Sequence, residues 1–219
     1  MEAEESRQVS SIFKDLIVPI GSSIAVGLIV IGSALLLVSS FGHPVMQISH
    51  LMAMFGIGAC LFAVSYHLWQ YFARPEKTNS IRNLIWSLLL TLILIPSFVA
   101  SYEIRMEGMR AIPGNAEPIL EALQKYQDKY GRWPMALKSL TPEFLDRVPT
   151  TGVGAFPRFS YSVSDIHGEL SEDPWTLWVD TPQRFLNFDC MIYLPSENYP
   201  DYFLGGYTEP IGKWVYIHE

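Results

Sequence analysis

Residues 16–73 read LIVPIGSSIAVGLIVIGSALLLVSSFGHPVMQISHLMAMFGIGACLFAVSYHLWQYFA, and residues 83–102 read NLIWSLLLTLILIPSFVASY. Neither stretch contains an Asp, Glu, Lys or Arg. The whole 219-residue chain has 15 Lys and Arg and 22 Asp and Glu, so 17% is charged. An ordinary soluble domain carries about 25%. With the two silent stretches removed, the rest reaches about that ordinary value. Two materials are joined end to end, a hydrocarbon-compatible first half and a water-compatible second half. A simple cytosolic globule is excluded.

About 20 apolar residues in a helix span a bilayer core. The long stretch is too long for one span and predicts two, at 17–39 and 48–71, with the break supplied by Gly42-His43-Pro44. A third span is predicted at 84–100, kinked by Pro96. A cleaved signal peptide fits poorly, because the leader 1–15 has Glu2, Glu4, Glu5 and Asp15 against only Arg7 and Lys14. Basic residues in short flanks set orientation. Arg7 and Lys14 precede the first span, and Arg74, Lys77 and Arg82 lie between the second and third. That alternation predicts an inner-membrane protein with a cytoplasmic N-terminus and everything after Ala100 outside. Trp69, Tyr71 and Trp86 flank the second loop as an interfacial belt would.

Small residues let helices approach closely. Ser22, Ser23, Gly27 and Gly32 in the first span, with Gly56, Ala59, Cys60 and Ala63 in the second, form such faces. Ser23, Gly27, Gly56 and Cys60 are expected to pack helices together. Packing of the three spans on one another is favoured over a homo-oligomer or partner contact. No Asp, Glu, Lys or Arg lies within a span, which disfavours an ion pathway. His67, near the cytoplasmic end, is expected to hydrogen-bond or snorkel.

Beyond the spans, Ile112-Pro113-Gly114 predicts a break, and Asn115 a cap for a helix ending near Tyr130. Ile119, Leu123, Tyr126 and Tyr130 form its apolar stripe, and Gly131 its stop. Thr141-Pro142-Glu143 predicts a second short helix that buries Phe144 and Leu145. Residues 158–163, 175–179, 189–194 and 213–218 then read as strands, with turns at 165–168, 182–187 and 205–212. The predicted fold is a three-helix transmembrane bundle followed by an α+β domain over 111–219, helix packed on a small antiparallel sheet.

The run Ile119-Leu120-Glu121-Ala122-Leu123-Gln124-Lys125-Tyr126, then Tyr130-Gly131-Arg132-Trp133-Pro134, Leu137, Leu140-Thr141-Pro142-Glu143-Phe144-Leu145 and Val148-Pro149, resembles type II secretion pseudopilins of the major, G-type kind. The resemblance covers about 116–149 by motif and the later strands by pattern. It implies an amphipathic spine helix packed on a small sheet. Those pseudopilins have a single span behind a peptidase-cleaved leader, whereas three spans are read here, and Pro113-Gly114 is expected to interrupt the spine. The family can hold calcium in its late loops. Glu169, Glu172, Asp173 and Asp201 are oxygen donors, but no matching motif assigns the ion, and no cofactor is expected.

No hydrolase, metalloprotease, P-loop or dinucleotide motif is present. Asp165, His167 and Glu169 alternate and could converge as acid, base or metal ligands, yet they sit where a hairpin turn is expected. His43 and His50 share the external hairpin without a carboxylate or thiol. Cys60 and Cys190 lie one in each half, so no disulfide framework arises. A net charge of −7 argues against nucleic acid as a partner. Aromatic residues carry more weight. Trp175 and Trp178 cannot face the same core, and Tyr199, Tyr202, Phe203 and Tyr207 stand among loop formers. With Trp178 they are the candidate protein-binding residues, weighed evenly against filling a thin core.

Three function classes follow. The favoured one is a non-enzymatic, membrane-anchored protein that displays a pilin-like domain for envelope assembly or secretion-related complexes. The second is an immunity-type or accessory protein whose acidic domain meets a basic partner. The third is a membrane enzyme using the Asp165, His167 and Glu169 group.

Overall fold

A computed structural model describes residues 17–73, 79–163, 173–182, 187–199, 201–203 and 205–218. The leader 1–15, Arg74, Lys77, and the Asp165, His167 and Glu169 group lie outside the described residues. The chain divides into two compact units, Met1–Leu35 with Met46–Ile104 and Leu36–Val45 with Arg105–Glu219.

Three helices, α1 (Val18–Val38), α2 (Ile48–Ala73) and α3 (Asn79–Tyr130), are long and apolar enough to cross a membrane. A single 3-10 turn, Pro44–Gln47, precedes α2. Within the first unit, Val30, Ala53 and Leu94 are buried together, with Ile57 and Phe98 packed against them. Close approach explains the small residues there. A Cβ on Gly27 would lie 2.7 Å from Ser97 Oγ and 2.8 Å from Ile93 Cγ2, and one on Gly56 would lie 3.2 Å from Leu94 Cδ2. The Ser33 and Ser49 hydroxyls hydrogen-bond each other and so join α1 to α2. Leu28, Ile29, Phe55, Phe62 and Leu92 are exposed.

The expected break at Pro113-Gly114 does not occur. α3 is one helix of 52 residues and continues through Pro96, Pro113 and Gly114. The reason lies on its buried face. Arg105, Met109, Ile112, Ala116, Ile119 and Leu123 recur at steps of four and three and are all buried. Proline inside a helix costs about 3 kcal/mol. Each large apolar side chain buried along this stripe returns about 1.5–3 kcal/mol, so packing wins. Asn115, expected as a cap, stands inside the helix. Its Nδ2 donates to Ala111 O at 3.3 Å and Thr151 O at 2.8 Å. A Cβ on Gly114 would meet nothing within 4 Å. Gly114→Ala should therefore raise stability by about 1 kcal/mol, the glycine penalty in a helix interior. A lower melting temperature for that variant would contradict a continuous α3.

α3 ends where expected, with Gly131 at φ 67 and its N–H donating to Gln127 O at 2.8 Å. The expected helix after Thr141 is displaced. A 3-10 turn occupies Leu137–Leu140 instead, burying Leu137 and Leu140. Thr141 closes that turn, its N–H and hydroxyl both donating to Lys138 O at 3.2 and 2.9 Å. A hydroxyl used backward cannot cap a helix running forward. Phe144 and Leu145, expected to be buried, are half-buried.

Six strands are found among the described residues: β1 (Ser160–Ser162), β2 (Thr176–Asp180), β3 (Cys190–Tyr193), β4 (Tyr202–Phe203), β5 (Gly206–Ile211) and β6 (Trp214–His218). They form one antiparallel sheet in the order β1-β2-β3-β6-β5-β4. β5 corrects the turn expected at 205–212, which Gly205, Gly206 and Pro210 made look like loop. Ile211 pairs with Trp214 across the two-residue turn Gly212-Lys213. That closing pair is hydrogen-bonded, so the next pair, Pro210 with Val215, is not, and the proline nitrogen faces the sheet edge. Proline is tolerated there.

Each face of the sheet carries its own core. Leu177, Val179, Met191, Trp214 and Tyr216 are buried on one face. Trp175 stacks on Tyr193 at 5.7 Å, and Tyr193 contacts Trp214 at 5.5 Å. On the other face, Ile192, Leu194, Val215 and Ile217 cluster, with Trp178, Cys190 and Tyr199 packed against them. Alternation thus sends Trp175 and Trp178 into separate cores.

Candidate functional site

Arg105 falls on the buried stripe of α3, one helical turn before Met109, and only 3% of its surface is exposed. A guanidinium in such a place must be paired. Its Nη1 donates to Tyr216 Oη at 2.7 Å and its Nη2 donates to Thr181 O at 2.6 Å. The Tyr216 hydroxyl in turn donates to Asp189 Oδ2 at 2.7 Å. Asp189 is 1% exposed, and its carbonyl accepts from Thr181 N–H and Oγ1. The guanidinium carbon also lies 5.5 Å from the centroid of the Tyr216 ring. A fixed cation and a fixed anion are therefore bridged by one phenol, which accepts from the first and donates to the second. Burial drives the Tyr216 pKa well up, with Arg105 opposing and Asp189 adding to the rise. The proton stays on the tyrosine. Chemically, the centre is a lock that ties α3 to β6 and to both ends of the β2–β3 connection.

A second contact within this unit is made of backbone. Thr151 is buried and folds its own loop, its hydroxyl donating to Phe156 O at 2.6 Å and accepting from Val153 N at 3.1 Å. Asn115 holds that loop to α3 through Thr151 O. The hairpin residues Leu36–Val45 then lie against it. Gly154 N–H donates to Ser39 O at 3.1 Å and Ala155 N–H donates to Leu37 O at 3.3 Å. Glycine is required on both sides. A Cβ on Gly154 would be 2.1 Å from Ser39 O, and one on Gly42 would be 2.1 Å from Leu37 O and 2.7 Å from Ala155 N.

No protein-family model matches the chain, and no curated protein or solved structure matches it significantly. Its site is read from its own residues.

The candidate binding aromatics are placed differently from one another. Tyr207 is 74% exposed. Trp178 is half-buried against the outer-face cluster. Tyr202 and Phe203 form β4 and pair with Tyr207 and Gly206 through the backbone. Tyr199 is a brace: its hydroxyl accepts from Leu194 N–H at 2.8 Å and donates to Lys213 O at 2.9 Å. Burial pushes its pKa up, while the bond from Leu194 opposes. Tyr199→Phe takes the acceptor from the part-buried Leu194 N–H, so a loss of about 1–3 kcal/mol is expected in denaturant titrations. A variant with wild-type stability would show the brace to be idle.

Ser23, Gly27 and Cys60 are buried and Gly56 is half-buried, all within the first unit. His43 Nδ1 accepts from Val45 N–H at 3.2 Å, and His67 meets the Tyr66 ring edge-on at 5.4 Å. Of the four late-loop oxygen donors, Glu169 and Glu172 lie outside the described residues. Asp173 accepts from Ser196 N and Oγ, both at 2.7 Å. No three His, Cys, Asp or Glu side chains among the described residues are grouped to hold a metal.

Sequence reading missed Arg105, Thr181, Asp189 and Tyr216. Two signals point to them. Arg105 follows the uncharged run in register with Met109, Ile112 and Ala116, and Asp189 alternates with buried Met191 at the start of β3.

Proposed function

We propose that this is a non-enzymatic, membrane-anchored protein that displays a pilin-like, protein-binding unit outside the cytoplasm, in envelope assembly or a secretion-related complex. The observation that carries the reading is α3. Residues 83–102 of it are uncharged and apolar, and its second half is the spine against which an antiparallel sheet is locked through Arg105. A continuous spine removes one of the differences from the pseudopilin pattern, the interruption expected at Pro113-Gly114. Exposed Leu28, Ile29, Phe62 and Leu92 on the apolar helices suit contact with lipid tails. The outward placement rests on Arg7, Lys14, Arg74, Lys77 and Arg82.

The test uses the full chain in its own membranes, with a photo-crosslinking residue in place of Tyr207 or, as control, of exposed Gln124. A discrete adduct with one other envelope protein is expected from position 207 alone. Equal labelling from both positions would remove the binding role. A reporter fused after Glu219 that is active only in the cytoplasm would overturn the orientation.

A further inference from the structure

We infer that the second unit has a lipid-binding rim: Phe41, Val45 and Phe188 seat it in the interfacial layer of the bilayer from which α1 and α3 emerge. The inference rests on the membrane reading above and adds a surface to it.

Phe41 is 86% exposed and Phe188 74% exposed, and Val45 is exposed as well. All three belong to the second unit, whose water-facing surface is otherwise rich in charge. Their positions along the chain give their depth. Phe41 lies three residues beyond the last residue of α1 and is held by the Ser39–Gly154 and Leu37–Ala155 bonds. Phe188 directly precedes Asp189, which is one phenol away from Arg105. Arg105 follows the uncharged run 83–102 by three residues, a helical rise of about 4–5 Å. The headgroup layer on each side of the hydrocarbon core is about 5–8 Å deep. Aromatic rings favour that layer. The hairpin Leu36–Val45 has no Asp, Glu, Lys or Arg, so it brings no charge that would have to be desolvated there.

The experiment places single cysteines at Phe41, Phe188, Gln124 and Phe62 in a Cys60→Ala/Cys190→Val chain and labels them with an environment-sensitive fluorophore. The full-length protein is reconstituted in phospholipid nanodiscs that carry a spin label near the top or near the end of the acyl chain. Labels at 41 and 188 should be quenched by the shallow spin label at least about twofold more than the label at 124. Quenching equal to that at 124 overturns the inference, and so does a blue-shifted but unquenched label, which would mean a protein cover. The label at 62, on the exposed side of α2, separates the two readings. Deep quenching there keeps the membrane anchor whatever happens at 41 and 188. Its loss removes the anchor, and the rim with it.

Discussion

Arg105→Ala should lower the melting temperature of the second unit by about 10–30 °C. Removing one partner of a buried charge pair costs about 3–5 kcal/mol, because the other charge is left uncompensated. Here the charge that loses its buried counterpart is that of Asp189, 1% exposed, whose Oδ2 accepts from the Tyr216 hydroxyl. Thr181 O would lose its guanidinium donor at the same time. For a unit of this size each kcal/mol is worth about 3–6 °C. Trp133, Trp175, Trp178 and Trp214 all lie in this unit, so tryptophan emission of the full chain in detergent reports its melting. Tyr216→Phe should cost less, about 1–3 kcal/mol in all, since both charges remain. The decisive comparison is Arg105→Met combined with Asp189→Asn. Removing both charges should recover part of the loss seen with Arg105→Ala, because neither ion then stays buried alone. An Arg105→Ala protein melting within about 2 °C of the wild type would mean that the lock contributes nothing to the fold.

The apolar helices and most of the sheet were legible because each rests on a local pattern. Two uncharged runs separated by nine residues predict three long helices, and alternation of aromatic and β-branched residues predicts β1, β2, β3 and β6. Legibility ended where a distant contact overrides local preference. Pro113 and Gly114 are poor helix residues, but Met109, Ile112 and Ala116 on either side share one buried face. Pro210 is a poor strand residue, but its nitrogen falls on the unpaired side of β5. Thr141 looks like an N-cap, yet its hydroxyl is spent on Lys138 O behind it.

The polar lock was hidden for a related reason. Arg105 and Tyr216 are 111 positions apart, and only the register of β6 beside β3 brings Tyr216 opposite Met191, next to Asp189. A charged residue on a helix's apolar stripe asks for a partner, but the sequence does not say which. Among the binding candidates, alternation separated Trp175 from Trp178 correctly. It could not reveal a second core on the outer face of the sheet, which takes up Trp178 and Tyr199.

Gly154→Ala should detach the hairpin Leu36–Val45 from the rest of the second unit at a cost of about 2–4 kcal/mol, combining overpacking of about 1–3 with two weakened backbone hydrogen bonds. The new methyl would lie 2.1 Å from Ser39 O and 2.7 Å from Gly42 N. Both are backbone atoms, so no rotamer change relieves the contact and the two segments must part. Gly108→Ala is the control. Its methyl would meet Val38 Cγ1 at 2.7 Å and Val38 Cβ at 3.1 Å, side-chain rather than backbone atoms, and the loss should be smaller. Amide hydrogen exchange on the full chain reads the event directly. The Gly154 and Ala155 N–H groups, which donate to Ser39 O and Leu37 O, should lose protection, whereas the Phe156 N–H, bonded to Val153 O, should keep it. Gly42→Ala should reproduce the pattern from the other side, since its methyl strikes Leu37 O and Ala155 N. Because both glycines serve one contact, the double variant should cost little more than either alone. Strict additivity, or unchanged exchange at Gly154 and Ala155, would show that the hairpin does not depend on this approach. Were the hairpin freed, the sheet would keep its lock on α3 through Arg105, and only the bonds to Ser39 O and Leu37 O would be lost.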